Sequence, residues 1–257
     1  MGKVIAFSNQ KGGVGKTTTC VNVSAYLASM GKRVLLIDAD AQGNATTGLG
    51  LDKSQLEKSL YNAIIEGERL DEVIMQTDVE NLFIAPSSID LAGAEVELVE
   101  LKNRERRLRN LVEEVRGDYD YITIDCPPSL GFITVNALIA SDEAIIPIQS
   151  EYYALEGLAQ LINTIKLVSR VNKDLEIGGV VLTMYDGRSL ASRQISEEIR
   201  KFFGKKVFET VIPRNVRVSE APSHGVPIML HDPKCAGARA YLSLTEEFLR
   251  REENESE

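Results

Sequence analysis

Two lysines punctuate one glycine turn, Gln10-Lys11-Gly12-Gly13-Val14-Gly15-Lys16-Thr17-Thr18, which follows the apolar run Val4-Ile5-Ala6-Phe7. The turn fits the end of the phosphate-binding pattern G-x-x-x-x-G-K-[ST]. There, backbone N–H groups cradle phosphates, the lysine meets the β/γ oxygens and the hydroxyl holds Mg²⁺. Gly15, Lys16 and Thr17 fill its last positions, but Gln10 stands where the first glycine belongs and Lys11 opens the turn. One lysine suffices to neutralise the phosphates of a nucleotide held in the same chain. The second needs a separate role.

Carboxylates follow two apolar runs at the spacing such a loop needs. Leu36-Ile37 leads into Asp38-Ala39-Asp40-Ala41-Gln42-Gly43-Asn44, and Ile122-Thr123-Ile124 into Asp125-Cys126-Pro127-Pro128. Asp125, a carboxylate ending an apolar strand, is expected to hold a Mg²⁺-bound water. The metal must bridge β- and γ-phosphates and offset charge on the transferring group. Alternation along an extended chain puts Asp38 and Asp40 on one side, Asp38 deeper and Asp40 nearer the open edge. Asp38 is expected to orient the loop, Thr17 or metal waters, and Asp40 to position the attacking water or simply to cap a turn. Pro127, Pro128 and Gly131 would stiffen a loop that senses the γ-phosphate, the alternative being an ordinary strand-to-helix turn.

The elements that must position these residues are legible. Strand-like runs occur at 3–7, 33–37, 82–85, 121–124, 143–148 and 178–183, with a weaker one at 206–212. Helical stretches lie between them at 17–30, 104–116, 130–139, 155–171, 190–203 and 236–250, and 51–77 reads as an irregular helical excursion. Continuously apolar strands alternating with helices predict a doubly wound, mostly parallel α/β sheet with ligands at the carboxyl ends of the strands. With 257 residues, 44% of them apolar and 26% charged, the chain has ample core material. We read one domain over 1–250 and a short acidic polar tail over 251–257. Without a leader-like N-terminus or an apolar run of about 20 residues, a soluble cytoplasmic protein is expected. Cys20, Cys126 and Cys235 lack metal-ligand spacing and read as free thiols.

Together, K-G-G-x-G-K-T-T, D-x-D-x-Q-G-N and the D-x-P-P strand end resemble the deviant Walker A ATPases, and among them the ParA/Soj chromosome-partitioning ATPases. Glu151-Tyr152-Tyr153-Ala154-Leu155-Glu156-Gly157 and Ile212-Pro213-Arg214-Asn215-Val216-Arg217 are similar to that family's later segments, so the resemblance covers nearly the whole chain. It implies ATP and Mg²⁺ bound by Lys11, Gly12, Gly13, Val14, Gly15, Lys16, Thr17 and Thr18. It also implies a slow ATPase whose ATP-bound form is a sandwich homodimer, with Lys11 crossing to the other subunit's phosphates as arginine fingers do. Gly12 would be small because the partner's backbone comes close. Asp40 would support hydrolysis, and Pro213 and Asn215 would meet the adenine, although Asn215 could equally cap a helix.

The net charge of −9 seems to argue against DNA, yet residues 185–217 carry a net +4 and the remainder −13. Such a cluster can be a plain solvated face. The resemblance instead implies nonspecific binding of double-stranded DNA by this part of the chain, first through Arg188 and Arg217, then through Lys201, Lys205 and Lys206. It further implies a nucleoid-associated location and a ParB-like partner that stimulates turnover, suited as a basic peptide to the acidic remainder. The acidic C-terminus lacks the basic amphipathic helix of membrane-positioning relatives. Cluster-holding cysteine pairs are missing, and the early first strand leaves no room for an N-terminal repressor domain. The same loop could also serve a cargo-positioning ATPase or a synthetase that phosphorylates a small acid.

Overall fold

Strands and helices alternate as β1 (Lys3–Phe7), α1 (Lys16–Ser29), β2 (Val34–Asp38), α2 (Asn44–Gly48), β3 (Met75–Gln76), β4 (Leu82–Ala85), α3 (Leu91–Glu97), α4 (Arg107–Val115), β5 (Tyr121–Asp125), α5 (Phe132–Ala140), β6 (Glu143–Gln149), α6 (Ala154–Val168), β7 (Glu176–Tyr185), α7 (Leu190–Phe203), β8 (Val207–Pro213), α8 (Val216–Glu220), α9 (Ile228–His231) and α10 (Ala236–Glu255). The computed structural model describes the chain except Tyr152, Tyr153, Ser256 and Glu257, and except the side chains of residues 154–157 and 255. Tyr152 and Tyr153 of the segment after β6 thus lie outside the described residues.

The strands form one sheet in the order β3-β4-β2-β5-β1-β6-β7-β8. All pairings are parallel except that of β3 with β4. Alternation decides which residue serves which face. Val4, Ala6, Leu35, Ile37, Ile122 and Ile124 face one core layer, covered by α4, α5 and α6. Ile5, Phe7, Val34 and Leu36 face the other, under Tyr26 of α1 and Tyr241 and Phe248 of α10. Both faces are buried, which is why these strands read as unbroken apolar runs. Register places Phe7 beside Asp125 and Asp125 beside Asp38, so β1, β5 and β2 end together at one edge.

Sequence expectations and structure differ in three places. The excursion over 51–77 is made of short 3₁₀ and π turns at 53–55, 62–66 and 70–72, ending in the antiparallel edge strand β3. An edge strand of two exposed residues has too little hydrophobic pattern to be read from sequence. Short helices α2, α3 and α9 were likewise not anticipated, whereas α8 is the helix that Asn215 was read as able to cap. The polar tail is a correction: α10 continues through Glu255. Two of its charged residues, Arg251 and Glu252, are paired on the body of the fold. Arg251 donates to the carbonyls of Lys205 and Val207 and to Glu247, and Lys3 bonds both Glu143 and Glu252.

Gly179 in β7 lets the ring of Phe208 lie across the strand: a Cβ there would meet the Phe208 Cε2 at 2.2 Å. Gly179→Ala is expected to destabilise the fold by about 1–3 kcal/mol through overpacking. Urea unfolding with an unchanged m-value would record it, whereas an unchanged midpoint would show that the ring relaxes freely.

Candidate functional site

The turn after β1 is held open by glycines and by side chains from neighbouring strands. Gly13 and Gly15 have φ of 73° and 83°, left-handed conformations that cost glycine little. Thr183 Oγ1 at the end of β7 donates to the Val14 carbonyl at 2.7 Å. Asn9 donates from Nδ2 to the Pro147 carbonyl at 2.7 Å and accepts from the Lys11 N–H at 3.0 Å. Met184, next to Thr183, adopts φ 49°, a strained value for a side-chain-bearing residue. The loop therefore rests on β6 and β7 as well as on its own strand.

The two lysines face different surroundings. Lys16 is 6% exposed, and its Nζ reaches back to the Lys11 carbonyl at 3.4 Å. Burial lowers its pKa, while the nearby charges of Asp125 and Asp40 work against that shift. Lys11 extends outward, half-buried, with Nζ 3.6 Å from Glu151 Oε2. Arg214 reaches the other oxygen of Glu151 at 3.9 Å.

The three aspartates divide sharply by partner. Asp38 Oδ2 accepts from the Thr46 N–H at 2.8 Å and its hydroxyl at 2.7 Å, and Oδ1 accepts from the Asp40 N–H at 3.3 Å. Thr46 Oγ1 in turn accepts from the Ser87 N–H at 2.9 Å. These bonds fold the segment after β2 into α2. Burial still pushes the Asp38 carboxyl up to about 6. Asp40 Oδ1 accepts from the Gln42 N–H at 2.9 Å, a tight turn.

Asp125 is fully buried, and both its oxygens lack a hydrogen-bond partner among the described residues. Burial, and then the charge of Asp38, push its carboxyl well up; the Thr17 hydroxyl and Lys16 pull the other way. A buried carboxylate so weakly compensated is costly unless something positive completes it. The oxygens of Asp125 and Thr17 are hard donors that suit Mg²⁺, which keeps waters and binds few carboxylates directly. No three His, Cys, Asp or Glu side chains among the described residues group into a preformed metal cage. Such a metal would therefore depend on phosphates for the rest of its shell. Cys20 and Cys126 are buried and their thiols are pushed up by burial, so both stay protonated.

At the base end, Asn215 Oδ1 caps α8, accepting from the N–H groups of Arg217 and Val218. That leaves its Nδ2 as the group able to meet a base. A cavity of about 250 Å³ opens beside Thr17 and Thr18, walled by Asn22, Asn44, Thr47 and Pro222. Neither Pro213 nor Asn215 lines it.

The basic residues do not form one patch. Arg188, 93% exposed and paired with Asp186, follows β7 at the nucleotide edge, as do Arg214 and Arg217 after β8. Arg217 is paired with Glu220 and Asp232. Lys201, Lys205 and Lys206 sit at the other end of β8, about 25 Å away at roughly 3.3 Å per residue. Lys206 pairs with Glu176. At the opposite sheet edge, residues 51–100 carry twelve acidic and three basic side chains, a net −9 that equals the charge of the whole chain. Among the described residues no helix is long and apolar enough to cross a membrane.

Glu151, Thr183, Asn9 and Thr46 were not among the expected site residues. Thr183 and Glu151 end β7 and follow β6, so the rule that ligands gather at carboxyl ends of strands could have found both. Thr46 carries no local signal that marks it.

The family described as an AAA domain matches residues 2–177. The chain is 57% identical over 248 residues to the sporulation initiation inhibitor protein Soj of Bacillus subtilis (strain 168), covering 96% of this chain and 98% of Soj. It is 50% identical over 253 residues to the chromosome partitioning protein ParA of Myxococcus xanthus (strain DK1622), covering 98% and 89%. Among solved structures, a cobyrinic acid a,c-diamide synthase from Mycobacterium smegmatis with bound ATP analog and magnesium superposes with a TM-score of 0.87 at 35% identity, covering 98% and 96%. Near-full-length identity of this order to partition proteins, on a sheet with the expected order of elements, is decisive: the chain belongs to the ParA/Soj family of chromosome-partitioning ATPases.

Proposed function

We propose that the protein is an ATP-driven DNA-binding switch for chromosome or plasmid partition. The observation that carries this reading is the division of the loop's two cations: Lys16 is buried within the site, and Lys11 points out of it toward Glu151, 3.6 Å away. Lys16 neutralises the phosphates of ATP in its own chain, cradled by the N–H groups of 11–18. Thr17 and, through water, Asp125 would hold Mg²⁺, which would supply positive charge against the transferring phosphoryl group. Asp38 shapes the loop through Thr46, and Asp40 positions the attacking water. Lys11 reaches the phosphates of a second copy, so ATP makes the dimer. Gly12 allows that approach, and Pro213 and the Asn215 amide meet the adenine.

The dimer then binds double-stranded DNA without sequence preference, through Arg188, Arg214 and Arg217 near the nucleotide. Lys201, Lys205 and Lys206 add contacts further along the same sheet edge. A ParB-like partner stimulates slow hydrolysis and so releases the DNA, its basic segment suited to the acidic edge at 51–100. The protein would work in the cytoplasm, on the nucleoid. A small-molecule phosphorylating synthetase is the rival that the synthase likeness favours, but the nearer relatives are partition proteins.

Retention on nonspecific duplex DNA at fixed salt tests this directly. It is expected only with ATP and Mg²⁺, not with ADP or without nucleotide, and should fall steeply as salt rises. Arg188→Ala with Arg217→Ala should lower the log–log salt slope by about 2 per protomer, at roughly 0.9 per lost phosphate contact. Equal retention in all nucleotide states would uncouple the basic edge from the ATPase. No retention would favour the synthetase or a cargo-positioning ATPase.

A further inference from the structure

α5 starts where the Asp125–Gly131 loop ends, and its first N–H groups have no acceptor within the helix. Glu95, on α3, supplies one for two of them. Its Oε2 accepts from the Phe132 N–H at 2.7 Å and its Oε1 from the Ile133 N–H at 3.2 Å. A carboxylate bridging two N–H groups at a helix N-terminus is charge-assisted and matches the helix dipole. Gly131 leaves room for it, since a Cβ there would lie 2.3 Å from Glu95 Oε1 in this arrangement.

The bridge is the outer end of a continuous path. Asn136 fastens α5 to α4, donating to the Arg104 carbonyl at 2.7 Å and accepting from the Leu108 N–H at 3.2 Å. Thr134 Oγ1 donates to the Ser129 carbonyl at 2.6 Å, which anchors the loop itself. Pro128 of that loop lies 4.0 Å from the position of a Cβ on Gly12, the glycine beside Lys11. Asp125, the orphaned carboxylate, opens the same loop. Two hydrogen bonds from Glu95 and one from Thr134 thus tie α3 to the Asp125–Gly131 loop, which runs beside Gly12 of the phosphate loop, while Glu95 stands outside the site.

We propose that Glu95 is a positioning residue for hydrolysis: by fixing the start of α5 it sets the Asp125–Gly131 loop against the phosphate loop. This rests on the nucleotide reading of the site. An ordinary cap would contribute stability alone; a positioning cap also governs turnover. Glu95→Gln keeps the shape but turns an amide NH₂ toward one of the two donors, and Glu95→Ala removes the bridge.

The test uses the full chain and three readouts: Mg²⁺-dependent ATP turnover with DNA present, affinity for a fluorescent ATP analogue, and amide hydrogen exchange over 126–133. Expected are affinity within about 3-fold of the parent and kcat lowered about 10- to 100-fold in Glu95→Ala, the scale of a displaced catalytic group. Glu95→Gln should be intermediate, and should fold if the alanine variant does not. In the parent, ATP with Mg²⁺ should slow exchange over 126–133; in both variants that slowing should be lost. A variant with a lowered unfolding temperature but unchanged kcat would overturn the proposal and leave Glu95 a structural cap. A parent chain with no ATP turnover would overturn the nucleotide reading and this inference together.

Discussion

Lys16→Ala should abolish measurable ATP binding, whereas Lys11→Ala should leave it within about 3-fold and abolish everything that follows. The Lys16 ammonium is buried and already lowered in pKa by that burial, so it sits where a phosphate charge would be felt strongly. A unit charge about 4 Å from a phosphate oxygen contributes roughly 4 kcal/mol at an effective dielectric of 20, or about 10³-fold in Kd. Lys11 is half-buried and, among the described residues, its ammonium pairs with Glu151 at 3.6 Å. Exposed pairs of that kind are worth about 0–1 kcal/mol, so its release is easy and its loss costs the isolated chain little. Calorimetry with a non-hydrolysable ATP analogue should therefore separate the two variants. Light scattering should show Lys11→Ala monomeric with ATP, at background turnover and without DNA retention. A Lys11→Ala chain that still dimerises with ATP would sink the role in trans and return the second lysine to its own site.

That the phosphate loop, strand ends and sheet class were legible follows from how little freedom those residues have. Strands buried on both faces admit only apolar residues, and β1, β2 and β5 therefore announce themselves together with the aspartates that end them. Glycines at 13 and 15 are demanded by positive φ, so the turn is visible as well. What stayed hidden depends on contacts between distant segments. Glu95 meets α5 across 37 positions, and Thr183 meets the phosphate loop across 169. Nothing local marks Glu95, and Thr183 is marked by its place near the carboxyl end of β7 alone. The basic segment failed differently: its composition was plain, but an extended β8 separates Arg214 from Lys206 by the length of the strand. Residues 251–255 looked like tail because their sequence is charged, and became helix because Arg251 and Glu252 find partners on the sheet's lower end.

Asp125→Asn should move stability and activity in opposite directions. In the parent chain, a fully buried carboxyl whose oxygens lack a well-formed hydrogen bond among the described residues lies beside Asp38, on the adjacent strand. Removing its charge relieves that arrangement, and an amide can donate as well as accept. A gain of about 2 kcal/mol is expected, or roughly 5 °C for a chain of this size. Turnover should fall at least about 100-fold, because the charge opposing the phosphates' metal is gone. Stabilisation by saturating ATP with Mg²⁺, about 2.7 kcal/mol at 100 times Kd in the parent, should shrink with it. pH reports the same chemistry. Asp38 and Asp125 are acids whose folded values lie above their unfolded ones, Asp38 at about 6. The unfolded chain therefore releases protons first, and stability present below about pH 4 is lost as pH rises through the folded values. Parent melts should thus fall from pH 5 to pH 7.5, and the slope should be shallower in Asp125→Asn, which removes one of the two titrating groups and its repulsion on the other. With ATP and Mg²⁺ the parent's slope should flatten too, because a metal favours the charged form of both carboxylates. Parallel slopes in parent and variant would mean that Asp125 is not the strained charge, and the metal would then have to be assigned to Asp38 or Asp40 instead.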